Sequence, residues 1–172
     1  KGFPESYDLA ALLRFLHALK SGQQNLKVPL YSHHQYDIVE GDFQEIGKAD
    51  VVIIEGLNIL QTGVSKGEDQ RVFVSDFLDF TVFVDASVSA LRQWYIDRVL
   101  TFMRGPMQDP EAYFHYLTLL TTEEVVLYAE KIWREVNERN LIDNILPHKY
   151  RSDCILQKKS DHSVANILLR KL

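Results

Sequence analysis

The chain has one cysteine, Cys154, in 172 residues. A lone thiol permits no internal disulfide framework. With no recognisable secretory leader, this predicts a reducing, cytoplasmic setting. No apolar run approaches the ~20 residues that cross a bilayer, so a membrane is not an expected partner. Basic charge is also short. Lys and Arg number 19 against 24 Asp and Glu, a net −5. A mildly acidic chain argues against gripping nucleic acid or anionic lipid as its main task. Repeats, low-complexity tracts and compositional breaks are missing too, which predicts a single domain over residues 1–172.

Common catalytic signatures are absent in turn. Gly41-Asp-Phe-Gln-Glu-Ile-Gly47-Lys48-Ala49 looks like a phosphate-binding loop but has five residues between its glycines. A true loop has four, ends in a metal-binding hydroxyl where Ala49 stands, and follows a strand. This one precedes the apolar run at Val51, so it reads as a hairpin or surface turn. The histidines, at 17, 33, 34, 115, 148 and 162, form no metal-binding pair at helical spacing with a carboxylate base. No Gly-x-Ser-x-Gly elbow supports a serine hydrolase.

What is present alternates between two periods. Leu9, Leu12, Leu13, Leu16 and Leu19 recur every three or four residues, with Gly22 as a stop and Ser6 or Asp8 placed to cap the start. Val28–Tyr31 and Gln35–Val39 read as short strands around a polar turn. Asp50–Ile54 (Asp-Val-Val-Ile-Ile) and Phe80–Val84 (Phe-Thr-Val-Phe-Val) have the unalternating apolar character of strands covered on both faces. Helices are predicted over 87–104, from Asp109-Pro110-Glu111 onward, and over 122–140, with a last strand over 153–157 containing a core Cys154. Strands alternating with helices predict an α/β three-layer fold with ligands at the carboxyl ends of the strands.

Those ends focus attention on Glu55 and Asp85. Glu55, followed by Gly56, sits where α/β enzymes place a Mg²⁺-binding or base carboxylate; capping of the next helix is the competing role. Tyr95, Arg98 and Phe102 share one helix face. An arginine among aromatics near strand ends suits a phosphate, although a surface arginine over core rings has the same spacing. Tyr113-Phe114-His115-Tyr116 is either core or pocket wall.

Nine strings in order carry a resemblance: Lys1-Gly-Phe-Pro-Glu-Ser-Tyr-Asp8, Tyr31-Ser-His33, Tyr36-Asp37, Ile54-Glu-Gly-Leu-Asn58, Val74-Ser-Asp-Phe77, Trp94-Tyr95-Ile-Asp-Arg98, Asp109-Pro110, Tyr113-Phe114-His115 and Asn144-Ile-Leu-Pro147. Over its whole length the chain resembles the bacterial type I pantothenate kinases, relatives of uridine kinase and phosphoribulokinase. The resemblance implies a P-loop kinase-like three-layer sandwich with a mostly parallel sheet. It implies phosphorylation of pantothenate by ATP with Mg²⁺, the first step of coenzyme A synthesis, in a homodimer that coenzyme A inhibits by competing with ATP. The family's P-loop and catalytic base precede the first of these strings, so the resemblance implies the C-terminal portion of such a kinase, inactive alone. A sibling nucleoside-like kinase and a non-catalytic domain binding pantothenate or coenzyme A are the alternatives.

Residue by residue, the resemblance places Tyr31, His33, Tyr95 and Asn137 around pantothenate. Arg98 faces the transferred phosphate, Glu55 lies near the metal, and His162 flanks the adenine. Tyr36, Phe102, Tyr113 and Phe114 hold the far end of pantothenate and the thiol arm of coenzyme A. Val99, Met107 and Leu117 replace rings found in relatives. Val99 and Leu117 predict a looser hold on that arm, unless Tyr116 and Met107 repack into the gap.

Overall fold

A computed structural model of the chain describes residues 2–62 and 72–171. Lys1 and Leu172, the two ends of the resemblance, lie outside the described residues. The first helix, α1 (Leu9–Lys20), is capped by Asp8, whose Oδ1 accepts the Ala11 N–H at 2.8 Å. Ser6 is instead engaged with Gly2 N–H and Phe3 C=O. Gly22, at φ +76°, takes the left-handed turn that ends the helix and that L-residues with a Cβ adopt at a cost. The leucine stripe buries Leu16 to 1% exposure, and α1 packs on the 3₁₀ turn Val74–Phe77 and on β1 (Leu26–Ser32).

β1 pairs antiparallel with β2 (Asp37–Ile46), shifting register between Pro29 and Tyr31. Residues 41–46 of the phosphate-loop look-alike lie inside β2, and Gly41 merely takes a positive φ of +76° there. Of the two readings, hairpin or surface turn, the hairpin holds and the surface turn is corrected, and the phosphate-loop reading stays rejected. The hairpin is longer than the sequence predicts because cross-strand pairing extends it beyond the alternating residues.

The second sheet is ordered β3 (Val82–Asp85), β4 (Cys154–Lys158), β5 (Val164–Leu169). β3 and β4 are parallel, β4 and β5 antiparallel. Across both sheets one described pairing is parallel and two are antiparallel, so the mostly parallel sheet is not what the described strands form. The parallel pair is tied at both ends. At the start, Thr81 donates its N–H and hydroxyl to Asp153 Oδ2 at 2.9 and 2.7 Å. These bonds hold the Asp153 carboxyl below the usual aspartate range. At the carboxyl end, Lys149 Nζ donates to Asp85 Oδ2 at 2.5 Å in a largely buried ion pair.

The run at Asp50–Ile54 is a further correction. It joins no strand ladder among the described residues, and Val51 and Ile53 are 78% and 89% exposed. An apolar β-branched run sets backbone preference, but ladder bonds require a neighbour at about 4.8 Å. Here the run faces β3 across an open cavity of about 1150 Å³, lined by residues 49–57 and 77–84 among others.

α2 (Val88–Arg104) begins at Ser87, whose Oγ accepts the Ala90 N–H, and ends at Gly105. After it, Asp109-Pro110-Glu111 opens turns and a 3₁₀ segment (His115–Leu119), not an α-helix. Asp109 caps only locally, accepting the Glu111 N–H, and the chain then bends to meet the hairpin tip. α3 (Thr122–Ile132) starts with a reciprocal Thr121–Glu124 capping pair and packs on α2. It continues as a π-helical turn (Trp133–Asn137), a short α4 (Glu138–Asn140), a second π-turn (Leu141–Ile145) and a 3₁₀ stretch to Arg151. Among the described residues no helix is long and apolar enough to cross a membrane.

Candidate active site

The tip of the β1–β2 hairpin, between Ser32 and Asp37, meets the segment running from Asp109 to Phe114. The tip holds Tyr36 at φ +56°. Its ring stacks on Tyr113 at 5.3 Å and meets Phe114 edge-on at 4.8 Å, while Tyr113 and Phe114 contact each other at 4.9 Å. The backbone is pinned as well, since Tyr113 N–H donates to His34 C=O at 3.0 Å. His34 Nε2 lies 3.0 Å from Asp109 Oδ2. The Glu111 N–H and then the His34 contact hold the exposed Asp109 carboxyl below its usual range. Tyr31 and His33 form their own edge-on pair at 5.2 Å at the base of the tip.

The facing wall is helical. Tyr95 and Arg98 stand on α2, and the Arg98 guanidinium carbon lies 5.1 Å from the Phe102 ring centroid. Across from α2, the π-turn carries Trp133 and Asn137, four residues apart in a widened helix that turns both toward Tyr95. The Tyr95 and Trp133 rings are 5.8 Å apart, and the Asn137 amide lies close enough to act on the Tyr95 hydroxyl. Burial pushes the Tyr95 hydroxyl above its ordinary pKa, while the Asn137 amide and the Arg98 charge pull it back. Trp133 is 6% exposed, and its indole N–H meets no acceptor among the described residues.

Among the sequence-predicted residues, Tyr36, Tyr113 and Phe114 thus form one ring cluster, and Tyr95, Asn137, Arg98 and Phe102 form another. Tyr36 is among the groups that raise the Tyr95 pKa. Glu55 stands elsewhere, exposed at the rim of the cavity beside β3. His162, at φ +68°, stacks on Trp94 at 4.1 Å, with Lys158 Nζ 5.1 Å from the same indole ring. Trp94 also donates its indole N–H to Ser160 C=O. Sequence reasoning missed Trp94 as the partner of His162, although it directly precedes Tyr95.

The ring replacements divide. Met107 and Leu117 are buried, Leu117 to 2% exposure, so they fill core. Tyr116, next to Leu117, is exposed, and its ring lies 6.3 Å from Phe114. Its hydroxyl is 3.3 Å from that of Tyr128, a residue the sequence reading passed over. Burial first, then this bond, pushes the Tyr116 hydroxyl up to about 12. The available signal was helical spacing: Tyr128 lies three residues after the buried Val125, on the margin of the core stripe of α3.

No group of three His, Cys, Asp or Glu side chains among the described residues is arranged to hold a metal ion. Mg²⁺ in phosphoryl-transfer sites needs only one or two protein carboxylates, with water and substrate phosphate completing its shell. The exposed hard-oxygen donor Glu55 is compatible with that mode.

Comparison with known proteins places this architecture. Pantothenate kinase of Coxiella burnetii (strain RSA 331 / Henzerling II) is 55% identical over 173 residues, covering all of this chain and 54% of that protein. Pantothenate kinases of Vibrio vulnificus (strain YJ016) and Shewanella pealeana are 48% and 49% identical, each over 99% of this chain and 56% and 54% of the relative. The chain therefore spans about half the length of the curated relatives it matches. A sequence profile of the Phosphoribulokinase / Uridine kinase family matches residues 3–106, from the capped first helix through the helix that carries Tyr95 and Arg98. With more than half of its residues inside that match, the chain belongs to the phosphoribulokinase/uridine kinase family.

Proposed function

We propose that the protein carrying this chain is a pantothenate kinase, which transfers the γ-phosphoryl group of ATP to the primary hydroxyl of pantothenate. One observation carries the reading. Tyr95 and Arg98 on α2 and Asn137 on the facing π-turn form one polar wall, in a chain 55% identical along its whole length to a protein named Pantothenate kinase. In this reading the complete protein has a P-loop kinase-like three-layer sandwich with a mostly parallel sheet, to which β3 and β4 contribute their parallel pair. It is a cytoplasmic homodimer, and coenzyme A inhibits it by competing with ATP.

The wall suits the task. Charge spreads over the planar oxygens of a phosphoryl group in transfer, and a guanidinium complements them with two parallel donors. Arg98 fills that role, with Phe102 beneath it limiting its conformers. The Asn137 amide and the Tyr95 hydroxyl offer donors and acceptors that pair with pantothenate's own polar groups. Tyr31, His33 and the Tyr36–Tyr113–Phe114 cluster line the remainder. His162, stacked on Trp94, offers a flat surface against which adenine packs. Glu55 is the residue that would hold Mg²⁺, which when bound neutralises charge on the nucleotide phosphates.

Calorimetric titration with pantothenate and with uridine tests the acceptor. Saturable binding of pantothenate without comparable binding of uridine is expected. Preferential uridine binding, or no pantothenate-dependent ADP release from the full-length protein, overturns the reading.

A further inference from the structure

Three residues of the strings that mark this sequence have no part in the site so far: Gly2, Asn58 and Asn144. The fold brings them together. Gly2 C=O accepts from Asn140 Nδ2 at 2.8 Å and from Asn58 Nδ2 at 3.4 Å. Asn140 Oδ1 accepts from Asn144 Nδ2 at 2.9 Å. Gln61 closes the ring, its Nε2 donating to Asn58 Oδ1 at 2.6 Å and to Asn144 C=O at 2.9 Å. An amide nitrogen carries two hydrogens, so this one side chain serves both acceptors. Five residues thereby form a closed circuit of hydrogen bonds. It joins the amino-terminal segment, the turn that follows Glu55 and the helical stretch that follows Asn137.

The circuit is held firmly. Asn140 is 4% exposed, so a ring bond lost there leaves a buried polar group without water to replace it. Gly2 has φ +98°, a backbone that glycine adopts freely and other residues at a cost, and its N–H donates to Ser6 Oγ. The helical stretch needs such a tie. Asn140 ends α4, the short α-helical piece between the two π-turns, and none of these three pieces has a side-chain cap. Asn140 and Asn144 lie four residues apart, on one helix face, and fasten that face to the other two segments.

We propose that this amide ring is a positioning device of the phosphoryl-transfer site. Asn140 lies three residues beyond Asn137, and Asn58 three residues beyond Glu55. The ring therefore fixes the Glu55 turn against the stretch that carries Asn137. Asn140 and Gln61 are positioning residues that touch neither ligand. The inference rests on the pantothenate kinase reading, in which Asn137 serves the acceptor and Glu55 the nucleotide side. Each side holds its own ligand without the ring. Transfer needs the two in register, and a shift of about 1 Å made far from the chemistry can cost on the order of 10²-fold in rate.

The test uses the full-length protein and its Asn140→Ala, Gln61→Ala and doubly substituted forms. Steady-state kinetics are paired with calorimetric titration of pantothenate and of ATP. Each single variant is expected to lower kcat about tenfold or more, with both affinities within about twofold of the parent and the binding stoichiometry unchanged. The double variant should fall no further than the worse single one, because the circuit is already open. Asn58→Asp removes only the longest bond and serves where Asn140→Ala does not fold; about a twofold to threefold loss of kcat at parental affinity is expected. A drop in stoichiometry that accounts for the whole loss of kcat would make the ring a structural tie and overturn the proposal. Affinity lost in step with kcat, single losses that add in the double variant, or parental kcat in every variant that folds would overturn it as well. If the parent protein itself binds no pantothenate, the kinase reading fails and takes this inference with it.

Discussion

Two walls of this molecule begin from equally strong sequence signals and end differently. The ring wall gathers Tyr36, Tyr113 and Phe114 from a hairpin tip and a turn and joins them by ring contacts, beside Tyr95 on a helix and Trp133 on a π-helical segment, whose rings are 5.8 Å apart. The wall at 50–57 comes from one continuous apolar run, yet it joins no ladder among the described residues and leaves Ile53 89% exposed. The difference lies in where the partners are. A helix satisfies its own backbone within four residues, so its side chains arrive already ordered. A strand leaves its backbone groups to a neighbour, and a run of valines and isoleucines cannot supply one.

The sharpest way to break this comparison is amide hydrogen exchange on the 172-residue chain. Amides of 51–54 are expected to exchange on the order of 10³-fold or more faster than those around Ala90–Ile96 in the middle of α2. Comparable protection in the two regions would mean that the run finds a partner after all.

A change at Arg98 probes the ring wall's chemistry. In the full-length protein, Arg98→Ala is expected to lower kcat by about 10²-fold, the usual loss when a donor to developing charge is removed. The KM for pantothenate should move much less, because that charge is complemented best in the transition state. Arg98→Lys should restore only part of the rate, since an ammonium lacks the planar fork. Steady-state kinetics with near-normal kcat for the alanine variant would reduce Arg98 to a surface arginine over Phe102.

Asn137 sharpens the same comparison on the binding side. Asn137→Ala should weaken pantothenate by about 1–3 kcal/mol while leaving ATP affinity little changed. The amide that pulls the Tyr95 hydroxyl down is lost too, so that hydroxyl, already raised by burial, should titrate still higher. Calorimetry showing equal losses for both ligands would make Asn137 a structural member of the π-turn.

The smallest effect concerns the clamp between hairpin tip and ring wall. The Asp109 carboxyl has a lowered pKa, so its contribution is present above its ordinary value of 3.8 and is lost as pH falls through the lower folded value. Docking of the tip, followed by the Tyr113 amide resonance in an acid titration, should loosen in that range. Asp109→Asn should loosen it at neutral pH, and an amide signal indifferent to both would separate the tip's docking from this carboxyl.

Much of this was legible without coordinates. The leucine stripe and Asp8 announce α1, Ser87 and Gly105 bracket α2, and the apolar run around Val82 announces β3. Tyr95, Arg98 and Phe102 were assignable to one helix face by spacing alone. Less legible were the break of the 122–140 helix into π-turns and the absence of an α-helix after Asp109. Both depend on what packs against those residues. The Thr121–Glu124 cap fixes where α3 starts, whereas no comparable local signal fixes where its hydrogen bonding widens.

By itself, then, the sequence determined where helices start, which residues share a helix face, and that no disulfide framework holds the chain together. These are contests among neighbours in the chain, decided by caps, spacing and composition. Only the tertiary structure decided that Tyr36 meets Tyr113, that Trp94 rather than open solvent lies against His162, and that Tyr116 finds Tyr128. It also decided that Val51–Ile54 stays outside the described ladders while Val82–Asp85 lies parallel to Cys154–Lys158. Those outcomes join residues far apart in sequence or on separate elements, and their energies depend on distances and exposures that no local pattern encodes.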